Sequence, residues 1–358
     1  MKLMFILLPL LYIGGNVYVM VRALQSLPMM PLWVKVIASV LYWVVALSLV
    51  VSLWGRDMLP AWLLKTMYVA GSVWLVFTLY MVLSLLMADV VRVFVPAFKC
   101  GFWIALVFTI VLLACGYVNY RRPVINKLDI TLDKPLTSPV KIVAVSDVHL
   151  GYATGKERLK EYVKKINEQN PDVVLIAGDL IDNNVRPLNE QHMDEELREL
   201  NAPMGVYMVA GNHEYISGIE ASKAFIEKAN IKLLRDSVVL LSNGLQIVGR
   251  DDRHNKRRQP LADVMKKVDD RKAILMLDHQ PYQVAKKDSM GVDVQISGHT
   301  HRGQIFPMNL VVDAMYEQSH GYRKWLHSHV YVSSGLSLWG PPFRIGTRSD
   351  MAVITIGN

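Results

Sequence analysis

Cysteine is nearly absent. Only Cys100 and Cys115 occur in 358 residues, and both sit at or inside apolar stretches, so neither a disulfide framework nor a zinc–thiolate site is available. Charge is scarce in the first third: residues 1–120 hold seven Lys/Arg, two Asp/Glu and none of the ten histidines. The rest of the chain keeps 32 basic and 29 acidic side chains, a net of +3 out of an overall +8. So small a surplus argues against a nucleic-acid partner, which would require a basic patch on the folded part. No internal repeat or low-complexity tract is present, which excludes a solenoid.

Apolar residues are abundant, at 52%, and they cluster. Four stretches, roughly 3–21, 33–53, 67–87 and 102–118, approach or exceed the 18–20 residues needed to cross a bilayer. Trp33, Trp54, Trp62 and Trp103 stand near their ends, as interfacial aromatics do. The first stretch lacks the small-residue cleavage site of a signal peptide. The expectation is a four-span transmembrane region over 1–120, a linker over 121–139 that includes an extended stretch at 124–133, and a folded domain over 140–358. With the N-terminus inside, Lys2, Arg56, Lys65, Arg121, Arg122 and Lys127 face the cytoplasm against Arg22, Lys35, Arg92 and Lys99 outside, which places the folded domain in the cytoplasm at the cell membrane. Asp89, at the edge of the third span, reads as a solvated loop residue.

Five polar stretches punctuate the folded part: Asp147-Val148-His149, Gly178-Asp179, Gly211-Asn212-His213-Glu214, Asp278-His279 and Gly298-His299-Thr300-His301. Each closes an apolar run, at 140–146, 173–177, 206–210, 273–277 and 292–296, that reads as a buried strand. In α/β folds, reactive groups collect at such strand ends. Carboxylate, carboxamide and imidazole are ligands for borderline divalent cations. A carboxylate shared by two ions roughly 3.5–4 Å apart permits a two-metal centre that acidifies a water and aims the hydroxide at a phosphoryl group. Asp179 is the natural bridge. Between the strands, Leu159, Tyr162, Val163 and Ile166 fall at helical spacing and predict a helix over 156–169. Further helices are expected near 188–200, 219–229 and 261–268, with Pro281 opening another. Beyond about 304 the pattern is mostly β.

The order of these stretches resembles the calcineurin-like metallophosphoesterase family over roughly residues 140–358, and in particular a bacterial membrane-associated subgroup related to UDP-2,3-diacylglucosamine pyrophosphatases. The resemblance implies a two-sheet α/β sandwich holding two divalent ions, with Mn, Fe, Zn or Ni all compatible with the mixed ligands. It assigns Asp147, His149, Asp179 and His301 to one metal and Asp179, Asn212, His279 and His299 to the other. His213 becomes the acid that protonates the leaving oxygen, and Glu214 the neighbour that orients it. The implied activity is hydrolysis of a phosphodiester or pyrophosphate bond by a metal-bound hydroxide, with a lipid-linked or nucleotide-linked substrate. Four spans and Arg302, where the subgroup has a simpler anchor and often a glycine, depart from the pattern. The alternatives are a nuclease or soluble-nucleotide phosphodiesterase of the same fold, and a non-catalytic membrane signalling protein.

Outside these stretches, Arg253, in the charged loop 250–258, and Arg302 are the candidate substrate-binding cations. Asp182 and Asp278 flank ligands as possible supports for an imidazole. His192, His320, His327 and His329 read as solvated surface.

Overall fold

A computed structural model describes residues 2–55 and 58–357; Arg56, one of the charges counted for orientation, lies outside the described residues. The chain forms two compact units, one of residues 1–118 with 340–343 and one of residues 119–339 with 344–358.

The first unit consists of helices α1 (Lys2–Ser26), α2 (Leu32–Trp54), α3 (Ala61–Phe94) and most of α4 (Gly101–Arg121). All four are long and apolar enough to cross a membrane. In hydrocarbon a side-chain amide must find partners within the bundle. Asn16 does so: its Oδ1 accepts from Tyr42 Oη at 2.9 Å, Trp74 Nε1 at 2.9 Å and Thr78 Oγ1 at 3.2 Å, joining α1, α2 and α3. At 34 residues α3 exceeds the expected span, and at 1.5 Å per residue it is ~51 Å long. Asp89 therefore lies within a helix rather than in a loop. It pairs with Arg22 at 2.7 Å and accepts from Tyr18 Oη at 2.5 Å, because a carboxylate on an apolar helix is stable only when matched.

The second unit begins with β1 (Val124–Thr131), so the stretch 121–139 contains an ordered strand. Then follow β2 (Val140–Val145), α5 (Lys156–Asn167), β3 (Val173–Ile176), α6 (Arg186–Glu190), α7 (Met193–Arg198), β4 (Val206–Val209) and α8 (Asn212–Ile216). Next come α9 (Ile219–Lys228), β5 (Lys232–Leu234), β6 (Ser237–Leu240), β7 (Gln246–Gly249), α10 (Leu261–Met265) and β8 (Ile274–Leu277). The unit closes with α11 (Val284–Ser289), β9 (Val294–Ser297), α12 (Met308–Met315), β10 (Gly321–Lys324), β11 (His329–Val332) and β12 (Asp350–Gly357).

These strands make two six-stranded sheets, ordered β1-β12-β2-β3-β4-β5 and β10-β11-β9-β8-β7-β6. Strands β2, β3 and β4 run parallel, as do β7, β8, β9 and β11, so their carboxyl ends gather within each sheet. Alternation along a strand explains the core. Ile142 and Ala144 join Leu175, Val209, Leu275, Leu277 and Ile296 in one cluster, while Val143 and Val145 join Leu159, Tyr162, Val163 and Ile166 of α5 in another. Both faces are covered, which is why the strands read as unbroken apolar runs.

Two expectations change in detail. The helix expected over 188–200 divides into α6 and α7, because His192 adopts a left-handed conformation, φ 49°, between them. The region beyond 304, expected to be mostly β, contains α12. Its Val311-Val312 pair favours a strand locally, but the segment packs backbone to backbone against the turn at Gly303, where an added Cβ would lie 2.5 Å from the Met308 carbonyl carbon.

Candidate metal centre

Three of the five ligand stretches leave their strands through strained turns. Asp147, His149, Asp179, His299 and His301 all have φ between 46° and 71°, a region that costs a residue with a Cβ of order 1 kcal/mol or more. Glycines make the convergence possible. A Cβ on Gly298 would stand 2.3 Å from Asp147 Oδ2, and one on Gly211 2.1 Å from Asp179 Oδ1.

The eight residues predicted from the sequence come together at the carboxyl ends of the strands. His279 donates its Nδ1 proton to the Ala177 carbonyl at 2.7 Å, which turns Nε2 toward Asp179 Oδ2 at 3.1 Å, Asn212 Oδ1 at 3.3 Å and His299 Nδ1 at 3.3 Å. On the other side of Asp179, His149 Nε2 lies 3.9 Å from the same Oδ2 and 3.1 Å from His301 Nε2, which in turn lies 3.4 Å from Asp147 Oδ1. Nitrogen and oxygen donor atoms thus converge from five strand ends on one small volume, the arrangement a divalent cation needs. Asp147, His149 and His301 form one potential ligand group, and Asp179, His279 and His299 another. The donor set fits divalent metals, with Asp179 common to both halves.

The electrostatics agree. Burial would lower the pKa of His149, yet Asp147, Asp182 and Asp179 override it and hold the imidazole up at about 10. His299 is pushed down to about 4 by burial and then by His279. In each half one imidazole is held up by its carboxylates and its neighbour is pushed down by burial: His149 and His301 in one, His279 and His299 in the other.

His213 Nδ1 lies 2.6 Å from the Asp182 carbonyl oxygen, and its main-chain N–H donates to Asp179 Oδ1 at 2.9 Å. The residue that orients it is Asp182. Glu214, expected in that role, does something else: its buried carboxylate accepts from the N–H groups of Asp179, Ile181 and Gly211 at 3.0, 3.0 and 2.7 Å. An acid one position along a helix from its neighbour points away from it, so Glu214 instead clasps two ligand loops. Asp182 Oδ1 also lies 3.6 Å from His149 Nδ1. Asp278, the other expected support, instead pairs through Oδ2 with Arg258 and Lys287, each at 2.8 Å.

The two candidate substrate cations point elsewhere than into the cluster. The Arg302 guanidinium pairs with Asp313 at 3.6 Å. Arg253 lies 4.4 Å from the ring centre of Tyr282, whose ring is 5.0 Å from Tyr316, which is 6.5 Å from His299. An aromatic wall thus connects Arg253 to the centre. His329 is bound by Tyr322 and Lys324, and His320 faces Ser319 and Asp313.

Sequence reasoning missed Arg344. Its fully buried guanidinium donates through Nη1 to His301 O at 2.8 Å and through Nη2 to Ser334 O and Ser337 O, bracing the turn that carries His301. An isolated arginine far from the ligand stretches carries no motif that could have revealed this.

The family profile for calcineurin-like phosphoesterases matches residues 140–303. An uncharacterized metallophosphoesterase of Aquifex aeolicus is 33% identical over 241 residues, covering 65% of this chain and 91% of that one. The chain belongs to the calcineurin-like metallophosphoesterases. An uncharacterized metallophosphoesterase of Helicobacter pylori (strain 26695) is 35% identical over 246 residues, 67% of this chain and 65% of that protein; the metallophosphoesterase described here thus spans less than two thirds of that relative. A Danio rerio transmembrane protein with metallophosphoesterase domain is 30% identical over 272 residues, covering 71% and 62%. The family works with divalent metals on phosphoesters, and the four apolar helices of this member suggest a membrane location.

Proposed function

We propose that this protein is a membrane-bound phosphoesterase that uses two divalent ions to hydrolyse a phosphodiester or pyrophosphate bond, with a lipid-linked phosphate as the favoured substrate. The observation that carries the reading is the position of Asp179 Oδ2, 3.1 Å from His279 Nε2 and 3.9 Å from His149 Nε2, so that one carboxylate serves both halves of the centre. In one half Asp147, His149 and His301 would join it, in the other Asn212, His279 and His299. Bound there, the ions supply an activated water and neutralise phosphoryl charge.

The chain's own residues do the rest. The Asp182 carbonyl accepts from His213 Nδ1, so as the imidazolium His213 would deliver its Nε2 proton to the leaving oxygen and remain as the neutral ring with Nδ1–H in place. Glu214 holds the Asp179 and Gly211 loops at fixed separation, so the Asp179 carboxylate and Asn212 would meet the ions already oriented. Two residues, Arg122 and Pro123, separate α4 from β1 in the sequence, and this short tether supports a substrate presented at the bilayer. With the N-terminus inside, Lys2, Arg56, Lys65, Arg121, Arg122 and Lys127 against Arg22, Lys35, Arg92 and Lys99 favour the cytoplasmic side.

The test is a metal-reconstituted assay of the protein in detergent with bis-p-nitrophenyl phosphate, p-nitrophenyl phosphate and UDP-2,3-diacylglucosamine. Asp179→Asn should lose both metal and turnover. His213→Ala should keep the metal and lose roughly 10²–10⁴-fold in rate, most for poor leaving groups. No metal-dependent hydrolysis of any of the three would overturn the reading.

A further inference from the structure

A second basic site lies one residue from the metal centre. The loop after β7 and the start of α11 enclose a cavity of about 250 Å³ lined by Arg250, Arg253, Arg258, Lys286, Lys287 and Asp278, with Pro260, Leu261 and Tyr282 among the remaining walls. Arg250 is 4% exposed and Lys287 3%, so two of its cations are truly interior. Charged groups are rarely buried unless matched, and here the match is incomplete. Arg250 pairs with Asp236 at 2.7 Å, while Arg258 and Lys287 share the single carboxylate of Asp278. Five cations thus line the cavity, and Asp236, Asp278 and Asp251 are the carboxylates that oppose Arg250 among them. The Nε atoms of both Arg250 and Arg258 are buried without a hydrogen-bond partner. Burial, and then the neighbouring Arg258, pull the Arg250 pKa down; burial likewise lowers Lys287, with Arg258 and Arg250 adding to it against Asp278. An anion among these groups would offset both their desolvation and their mutual repulsion.

We propose that this cavity is an anion site, separate from the metals, that takes a phosphate group. The guanidinium groups of Arg253 and Arg258 and the Lys286 ammonium around one small space match the oxygens of a phosphate, and Arg250, whose Nη1 and Nη2 are held by Asp236 and the Gln259 carbonyl, adds its Nε. The volume falls below the roughly 300–1,000 Å³ of pockets that hold whole small-molecule ligands, so a phosphate or phosphorylated head group fits and a complete nucleotide does not. Asp278 links the two sites: its carboxylate closes the cation cluster, and the next residue, His279, enters the metal centre. The Arg253–Tyr282–Tyr316 wall runs from this cavity toward His299. The same phosphate chemistry has two sources, the head group of a phospholipid and free inorganic phosphate.

The experiment uses full-length protein in detergent, stripped of divalent ions by a chelator and titrated in a calorimeter with inorganic phosphate and, separately, with dioctanoyl phosphatidic acid. Saturable metal-free binding of at least one is expected. Arg258→Gln should weaken it by about tenfold or more, the usual loss for one charge-assisted bond. Lys286→Gln, at an exposed residue without an ion-pair partner among the described residues, should weaken it severalfold while the thermal midpoint stays unchanged. A stronger response to phosphatidic acid assigns the site to a lipid head group, and a response to phosphate alone assigns it to free phosphate. Absence of binding without metal, or wild-type affinity in both variants, overturns the proposal. Because no metal or turnover enters the measurement, its failure leaves the hydrolytic reading untouched.

Discussion

Glu214→Gln offers the sharpest discrimination between two roles for an acid beside the proton donor. The carboxylate accepts three main-chain N–H groups, two on Oε2 and one on Oε1. Glutamine keeps one oxygen, so its NH₂ must confront either the Ile181 N–H or the pair from Asp179 and Gly211. A charge-assisted hydrogen bond contributes about 1.5–3 kcal/mol, and each buried donor left unpaired costs about 1–3 kcal/mol. With the amide oxygen placed at the Oε2 position, one bond is lost and one N–H is stranded, for a total of roughly 3–5 kcal/mol. A domain of this size loses about 2–4 °C per kcal/mol, so the thermal midpoint should fall by about 6–20 °C. Differential scanning fluorimetry and metal analysis of the purified variant provide the assay, with His213→Ala alongside. The clasp reading requires Glu214→Gln to lose stability and bound metal together, since two ligand loops come loose at once. Wild-type midpoint and metal content with reduced turnover alone would refute it, and would restore Glu214 to the role of orienting His213.

Other substitutions test the frame around the centre. Arg344→Met should strand the carbonyls of His301, Ser334 and Ser337 and destabilise by roughly 3 kcal/mol, read from the denaturation midpoint; an unshifted midpoint would show the brace to be dispensable. Burial pushes Asp350 up to about 6 from its ordinary 3.8. A carboxyl raised in the folded state contributes stability that is complete below about pH 3.8 and is lost as pH rises through about 6, a change of about 3 kcal/mol at 1.36 kcal/mol per unit. The stability difference between wild type and Asp350→Asn should therefore shift across that window, and a constant difference would contradict it. A fragment beginning at Asn119, which retains β1, should hydrolyse bis-p-nitrophenyl phosphate at close to the full-length rate yet lose most activity on phosphorylated lipids in vesicles. Equal vesicle activity would exclude a substrate-presenting role for the apolar helices. Starting the fragment at Lys127 should lower its stability instead, because three of the eight β1–β12 register pairs, those of Val124, Ile125 and Asn126, are cut away.

How much of this was legible in the linear order follows from the range of each interaction. The four long helices are a matter of composition over some 20 residues, and the buried parallel strands of unbroken apolar runs, so both are written locally. The ligand residues stand out for the same reason: each sits in a short stretch where glycine, acid and histidine follow an apolar run, as at Gly298-His299-Thr300-His301. The limits of α3 were not legible, because a matched Asp89 with Arg22 and Tyr18 lets a helix carry charge that composition alone would place at its end. Nor was α12, whose β-branched residues favour a strand until the backbone of Gly303 packs against it. The partner of each polar group was decided by tertiary structure alone. Asp182, not Glu214, meets His213, and Glu214 reaches back some 35 residues to the Asp179 turn. Arg344, 43 residues beyond His301, holds its carbonyl. Asp278 turns from the metal centre to close a cluster of cations gathered from the β7 loop and α11. Local pattern determines which residues can do chemistry, since residue type and strand ends are local properties. Which groups hold them in place depends on distances that exist only after the two sheets have closed over their common core.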